Sequence, residues 1–138
     1  MKNTFENTLN LLGRLLIAAL FLPAGITKLT GFAGTVGYIQ SMGLPAPSAA
    51  ATLAVVVEIA GGVALIVGYQ TRIAALVLSI FTFVASVLFH AYWAVPADQA
   101  FVTQLLFFKN IAVIGGLLAF AASGAGEFSI EGLKAKQK

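Results

Sequence analysis

Four apolar segments constrain what this chain can fold into more than any other feature of its sequence. They cover residues 9–28, 48–67, 73–92 and 102–122. At a rise of 1.5 Å per residue, a helix of about 20 residues is about 30 Å long, which matches the hydrocarbon core of a bilayer. A helix also satisfies its own backbone hydrogen bonds in lipid, so the segments predict four transmembrane helices.

The composition agrees with a surface that faces lipid. Only 9% of the 138 residues are charged and 59% are hydrophobic, whereas a soluble domain carries about 25% charged residues. Too few polar side chains are present to cover a surface that faces water. We therefore predict an all-α, integral membrane four-helix bundle that forms a single domain over residues 1–138.

The link between the first two spans, residues 30–47, is long enough to hold structure of its own. Its apolar residues recur at helical spacing: Phe32, Val36, Ile39 and Met42. This period predicts a short helix on the extracytoplasmic side, which either lies at the membrane interface or caps the bundle. The other links, residues 68–72 and 93–101, are short and contain turn-forming residues.

Lysine and arginine in the links predict the orientation. One side carries five of them: Lys2, Arg72, Lys134, Lys136 and Lys138. Residues 30–47 and 93–101 carry none, so both termini and the basic tail 123–138 should be cytoplasmic. A lipid-binding patch is the alternative interpretation of the tail. The net charge of +3 reflects this topology signal, so no nucleic-acid partner is expected.

The first segment has a rival interpretation as a cleaved signal peptide. Arg14 interrupts its apolar stretch, and Lys28 follows without a small-residue cleavage site. We therefore expect it to remain as a transmembrane helix.

Cysteine and histidine limit the chemistry. The chain has no cysteine and a single histidine, His90, so thiol catalysis, thiolate-bound clusters and a multi-histidine metal site within the chain are excluded. No metal site is expected, and redox chemistry would need a protein partner or a diffusible cofactor.

Charged residues inside the spans are the candidate functional residues. Glu58 should lie near the midplane, where a carboxylate costs about 2.5–3.5 kcal/mol, and it should therefore face the interior and be paired or protonated. By depth along the helices, Arg14 and Lys109 are its candidate partners, and Lys28 and His90 form a shallower pair. The candidate polar cluster has six members: Arg14, Lys28, Glu58, His90, Lys109 and Asn110.

Two interpretations of this cluster remain open. It is either a ligand site whose positive excess calls for an anionic or carbonyl-bearing occupant, or a structural clasp between helices. His90 has the further alternative of an interfacial anchor. A faint internal repeat accompanies the cluster, because Arg14 and Arg72 each precede an apolar run while Glu58 and Lys109 each precede a Gly-Gly pair. Such a pattern is typical of a parallel two-plus-two repeat.

Several short motifs in their order along the chain resemble the DoxX family of small bacterial inner-membrane proteins. They are Arg14, "AGITKLTGF" with Lys28, "SMGLP", Glu58 with Gly62, "GYQTR", His90, and "FKN" with Lys109 and Asn110. The resemblance covers nearly the whole chain, although Ala125 stands where a proline is common in the family.

The resemblance implies a four-helix bundle in the bacterial inner membrane. In some relatives it also implies a membrane subunit of thiosulfate:quinone or related oxidoreductase systems, and the wider superfamily includes assembly and cargo-handling proteins. One hypothesis is therefore a membrane subunit without a redox centre of its own, which binds a quinone or small oxyanion through Lys28, His90 and Lys109, with Glu58 as proton acceptor and electrons from a partner protein. The alternatives are an assembly or anchoring protein with a structural clasp, or a small-molecule transporter, which would need to form a homo-oligomer.

Overall fold

A computed structural model describes residues 3–137 of the chain, and regular secondary structure over these residues is entirely helical. Its helices are α1 (Thr4–Thr30), α2 (Phe32–Ser41), α3 (Pro47–Val67), α4 (Thr71–Phe89), α5 (Ala97–Ser123) and α6 (Ile130–Ala135), with a 3-10 turn at Tyr92–Ala94. The four long helices, α1, α3, α4 and α5, are long and apolar enough to cross a membrane. The predicted all-α four-helix bundle is confirmed.

The helix ends differ from the predicted spans for local reasons. Helix α1 begins earlier than residue 9 because Asn3 and Glu6 form a capping box, in which each side chain accepts the other's backbone N–H. Helix α4 ends at Phe89, where His90 leaves the helical conformation. Helix α5 begins directly after Pro96, which cannot continue a preceding helix.

The four long helices form a ring in which every neighbouring pair is antiparallel. Helix α1 packs on α3, α3 on α4 and α4 on α5, while α5 returns to α1 through a smaller contact. Glycines allow the closest approach between α1 and α3: a Cβ atom on Gly25 would lie 2.7 Å from Ile59 Cγ1, and one on Gly62 would lie 3.2 Å from Leu22 Cβ. Small residues at helix interfaces are typical of membrane bundles.

The link between α1 and α3 contains the short helix α2, as the spacing of its apolar residues predicts, and this helix contacts both neighbours. Ile39 is buried, Phe32 and Val36 are half-buried, and Met42 is exposed. We call the end of the ring that carries α2 and the 3-10 turn the α2 end. The opposite end, where α1 begins and α6 lies, is the α6 end. The side of the membrane that each end faces stays a prediction.

The segment after α5 folds back on the α6 end instead of leaving the bundle as a free tail. Glu131 N donates to the carbonyl of Gly68 (3.2 Å), and Thr71 N donates to Glu131 Oε1 (2.9 Å). Gly68 has φ +67, and a Cβ there would overlap with Ser129. The close approach of α6 to the link between α3 and α4 therefore depends on glycine at this position.

Helix α5 is the least enclosed of the four. Its buried residues are Asn110 and Leu117 alone. The core of the ring consists of six residues from all four long helices: Ala18, Phe21, Leu65, Ala75, Leu78 and Leu117. Most of the surface of α5 is therefore left for lipid or for another protein.

Candidate functional site

The carboxylate of Glu58 is held by Lys28 in a bidentate ion pair. Nζ of Lys28 lies 3.0 Å from Oε1 and 2.9 Å from Oε2 of Glu58. Helical Cα–Cβ bonds tilt toward the N-terminus, and α1 and α3 run in opposite directions, so the two side chains lean toward each other. Gly25, about one turn before Lys28, brings the helices together, since a Cβ there would lie 3.0 Å from Glu58 Cβ.

The predicted pairing of Glu58 with Arg14 or Lys109 is therefore wrong, because Lys28 holds the carboxylate instead. Depth along the helices was the basis of these predictions, but the tilt of the side chains decides which residues meet. Arg14 lies on α1 and leans toward the N-terminus of that helix, away from Glu58. Lys28 also leans toward the N-terminus of α1 and so reaches Glu58 from the α2 end.

Arg14 is fully buried at the α6 end and binds backbone carbonyls. Its Nη1 donates to Leu65 (2.8 Å) and Ile66 (3.2 Å), and its Nη2 donates to Phe128. Its Nε donates to Oδ1 of Asn10 (3.0 Å). The guanidinium thus satisfies carbonyls that the last turn of α3 leaves without helical partners.

Asn7 and Asn10 complete this network, and sequence reasoning missed both. Asn10 Nδ2 donates to Gly124 O (3.0 Å), and Asn7 Oδ1 accepts from Glu127 N (3.0 Å). Successive spacings of three and four residues along Asn7, Asn10 and Arg14 place all three on one face of α1 and were the available signal.

Lys109 and Asn110 occupy different sides of α5. Asn110 is buried and donates from Nδ2 to Ser86 Oγ on α4 (2.9 Å). Lys109, the next residue back, is exposed on the outer side of the bundle. Among residues 3–137 it forms no ion pair or hydrogen bond, although it lies close enough to His90 for their charges to interact.

A pocket of about 410 Å³ opens beside the ion pair, among α2, α3, α4 and the end of α1. Four of its lining residues have polar side chains: Lys28, Thr35, Tyr38 and His90. Most of the wall is apolar and includes Ile39, Leu53, Phe81, Val84 and Leu88. A mostly apolar cavity with a few convergent polar groups is typical of a small-molecule site.

The structure thus brings two of the six candidate residues, Lys28 and His90, to one pocket. Glu58 lies behind Lys28, and the side chain of Lys28 is 33% exposed while that of Glu58 is 8% exposed. Arg14, Lys109 and Asn110 do not line the pocket. Tyr38 stacks on Phe89, with ring centroids 5.6 Å apart, and forms part of the pocket wall.

The chemistry of the pocket follows from the donors of Lys28. An ammonium group has three N–H donors, and Glu58 accepts two of them. The third is available to an anionic or carbonyl oxygen in the pocket. Over the described part of the chain, no cluster of three or more His, Cys, Asp and Glu side chains could hold a metal ion.

Four apolar helices closed into a ring, with an ion pair between two of them, define a multi-pass integral membrane protein of the four-helix type. The chain belongs to the DoxX family, whose profile matches residues 9–91. It is 38% identical to inner membrane protein YqjF of Escherichia coli over 92% of both chains, and 33% identical to inner membrane protein YphA of the same organism over 88% of this chain and 86% of that protein.

A more distant likeness extends to eukaryotes. The ER-derived vesicles protein ERV29 of Saccharomyces cerevisiae is 30% identical over 56% of this chain and 25% of its own length. No solved structure shows a significant match. The family and the two bacterial relatives make this chain a DoxX-type inner membrane protein with four spans.

Proposed function

We propose that the protein binds a quinone, or another amphiphile with an oxygen-bearing head, in the pocket beside Lys28, as a subunit without its own redox centre in a quinone-linked oxidoreductase system. One observation carries the proposal. The ammonium group of Lys28 is held by Glu58 at the edge of an otherwise apolar pocket of about 410 Å³.

The shape and position of the pocket support a ligand that comes from lipid. Its volume falls within the range of about 300–1,000 Å³ that small-molecule sites occupy. Leu53 and Val84 line the pocket and are also exposed on the outer surface of the ring. The pocket therefore communicates with the bilayer, and an apolar tail can remain there while the head group lies inside.

Each polar residue has a distinct task in this proposal. Lys28 donates its third N–H to a carbonyl or oxyanion of the ligand, and His90 and Tyr38 supply further hydrogen-bonding atoms. Glu58 fixes the position of Lys28 and is the group that can accept a proton. The described residues contribute no cysteine or metal cluster to carry electrons, so a partner protein with a redox centre would supply them.

The proposal includes an orientation. Arg72, Lys134 and Lys136 lie at the α6 end, whereas the links at the α2 end carry no lysine or arginine beyond Lys28. By the positive-inside rule, both termini are cytoplasmic and the pocket belongs to the outer half of the inner membrane.

The alternative function of the ion pair is a structural clasp between helices. Both carboxylate oxygens of Glu58 already accept from Lys28, and this observation favours the clasp. In an assembly or anchoring protein the pair would fix α1 against α3, and the pocket would hold only bulk lipid. The two functions differ in what occupies the pocket, which can be measured directly.

The test is the quinone content of the protein extracted together with its native lipids. Ala85 lines the pocket, so Ala85→Phe fills it without touching the ion pair, whereas Val77→Phe on the exposed side of the same helix is the matched control. Mass spectrometry should find about one quinone per wild-type protein, at least a fivefold loss in Ala85→Phe, and no change in Val77→Phe. Quinone no more abundant around the wild-type protein than in the bulk lipid would refute the proposal.

A further inference from the structure

Among residues 3–137, a cation without a counter-ion lies on the membrane-facing side of α5. Lys109 is exposed, and its exposed neighbours in the span, Phe108 and Ile111, are apolar. Asp98, the acidic residue of the same helix, precedes it by roughly three turns, or about 16 Å. Glu58 already pairs with Lys28, and the other acidic residues in the described ranges, Glu6, Glu127 and Glu131, lie at the α6 end.

The depth of Lys109 follows from two hydrogen bonds between α4 and α5. Arg72 Nη1 donates to Ala121 O (2.8 Å), which joins α4 to α5 at the α6 end. Nearer the α2 end, Asn110 Nδ2 of α5 donates to Ser86 Oγ of α4. Lys109 therefore lies about 20 Å from the α6 end, and about 10 Å below the opposite surface of a 30 Å core. A lysine at this depth needs an acceptor at its own level or a clear route to the surface.

The route toward the surface is apolar. The turn of α5 that Lys109 leans over carries Leu105 and Leu106, both exposed, and Phe108 is exposed beside it. Tyr92 and Trp93 pack on Phe107 at the same level, with ring centroids 5.6 and 5.5 Å apart. An acceptor at the depth of Lys109 itself would remove the need for the side chain to extend over this apolar surface to a lipid phosphate.

The same side of α5 is shaped for another helix. Lys109 is followed at spacings of three and four residues by Ala112, Gly115 and Ala119, all exposed. Nothing lies within 4 Å of the position a Cβ would take on Gly115. Small side chains at this spacing let a second backbone approach closely. We call Lys109, Ala112, Gly115 and Ala119 the α5 face.

We propose that the α5 face binds a transmembrane helix of a partner protein, which places an aspartate or glutamate at the depth of Lys109. Charge decides between this occupant and a second copy of the chain. A two-fold contact through the α5 face brings Lys109 toward its own equivalent, and two like charges in a low dielectric repel. Among the described residues of a second copy, moreover, no free carboxylate lies at that depth.

The test uses synthetic transmembrane peptides and the full-length protein in phosphatidylcholine vesicles. One peptide carries a single glutamate about 10 Å below the surface in a leucine–alanine helix, and its control carries glutamine there. Energy transfer from labelled protein should show about tenfold tighter binding of the glutamate peptide. Lys109→Met should abolish this preference, whereas Lys134→Met, which removes an exposed lysine at the α6 end, should keep it.

Two further variants separate charge from shape. Lys109→Glu should reverse the charge preference, so that this variant binds a lysine-bearing peptide more tightly than the glutamate peptide. Gly115→Leu should weaken the binding of both the glutamate and the glutamine peptide, because the larger side chain blocks close approach of the helices. Equal binding of the glutamate and glutamine peptides to the wild type would overturn the proposal. Loss of the preference in vesicles that contain phosphatidylglycerol would also overturn the proposal, because a lipid phosphate would then be the occupant. Dimers of the protein that Lys109→Met disrupts would overturn it as well, because a second copy of the chain would then be the occupant.

Discussion

At the scale of single residues, the structure separates charges that hold helices together from charges that remain free to bind something else. Lys28 and Glu58 satisfy each other, and Arg14 is satisfied by carbonyls of α3 and of the segment after α5. Lys109 has no such partner within residues 3–137. The energetic consequences of removing these side chains should therefore differ sharply, even though all four are charged residues within membrane spans.

The ion pair should show strong coupling. Lys28→Met strands a buried carboxylate, and a loss of about 3–5 kcal/mol in the free energy of unfolding is expected. Glu58→Gln should lose less than Glu58→Leu, because the amide oxygen still accepts from Lys28. Unfolding in mixed detergent micelles measures these values. The double variant Lys28→Met with Glu58→Leu should recover stability relative to Lys28→Met alone.

A matched control for the ion pair is Lys109→Met, which removes an exposed lysine. Its effect on the free energy of unfolding should lie within about 0.5 kcal/mol, as for other substitutions that break no contact. Strict additivity of Lys28→Met and Glu58→Leu would show that the pair contributes no coupling energy.

Two arginines cap helix ends and differ in burial, so their removal should differ too. Arg72 donates to the carbonyls of Ala121 and Ala122 but is exposed, so water can replace it. Arg14 is fully buried, and Arg14→Met leaves several carbonyls without a donor. We expect Arg14→Met to destabilise the protein several-fold more than Arg72→Met in the same micelle assay. Similar losses for both would mean that water reaches the end of α3.

At the scale of elements, the segment from Gly124 to α6 is held to the bundle by polar contacts rather than by a large apolar face. Glu127 pairs with Lys136 (2.9 Å), and Asn7 binds the backbone of Glu127. The hydrogen bond from Lys136 is the main reason that the pKa of Glu127 lies below its usual range. Docking of this segment should therefore depend on pH.

The sign of this dependence follows from the lowered pKa of Glu127. Its contribution to docking is complete above the ordinary glutamate pKa of about 4.3 and is lost as the pH falls through the lowered value. Since the chain has no cysteine, Gln137→Cys gives a single spin-label site next to α6. The label should become more mobile as the acid transition is crossed. Glu127→Gln should remove that transition, and an unchanged transition in this variant would assign it to another group.

At the scale of the whole molecule, two helix pairs repeat one design. In the first pair, Arg14 caps α3 and Lys28 joins α1 to Glu58; in the second, Arg72 caps α5 and Ser86 joins α4 to Asn110. Lys28 and Ser86 occupy the same position relative to their arginines in sequence. The equivalent of Glu58 is thus Asn110 rather than Lys109, and the repeat has one ionic and one neutral clasp.

The orientation of this two-pair bundle is testable with reporter fusions. Because the α6 end carries Arg72, Lys134 and Lys136, a reporter at the C-terminus should be active in the cytoplasm, and one inserted within residues 93–101 should be active outside. The reverse result would place the pocket in the cytoplasmic half of the membrane and contradict the proposed topology.

Apolar length and period were sufficient to predict the four spans and α2, since both are properties of the chain alone. The ion pair was not predicted, because depth along a helix ignores the direction of the side chain, which here selects Lys28 over Lys109. Lys109 and Asn110 are neighbours in a helix that is apolar on most sides, so the sequence could not indicate which one faces inward. The return of α6 depends on left-handed backbone at Gly124 and Gly126, which sequence analysis did not assign.

The guanidinium of Arg14 also imposes an order on the making of the protein. Arg14 enters the membrane with the first helix, but its backbone acceptors belong to residues 65–66 and 128, which the ribosome adds much later. Until those residues are in place, water or lipid headgroups are the acceptors open to the remaining N–H donors of the guanidinium. The first span therefore gains its full set of hydrogen bonds only after residue 128 has been added, so the environment of Arg14 depends on a segment that is made after all four spans.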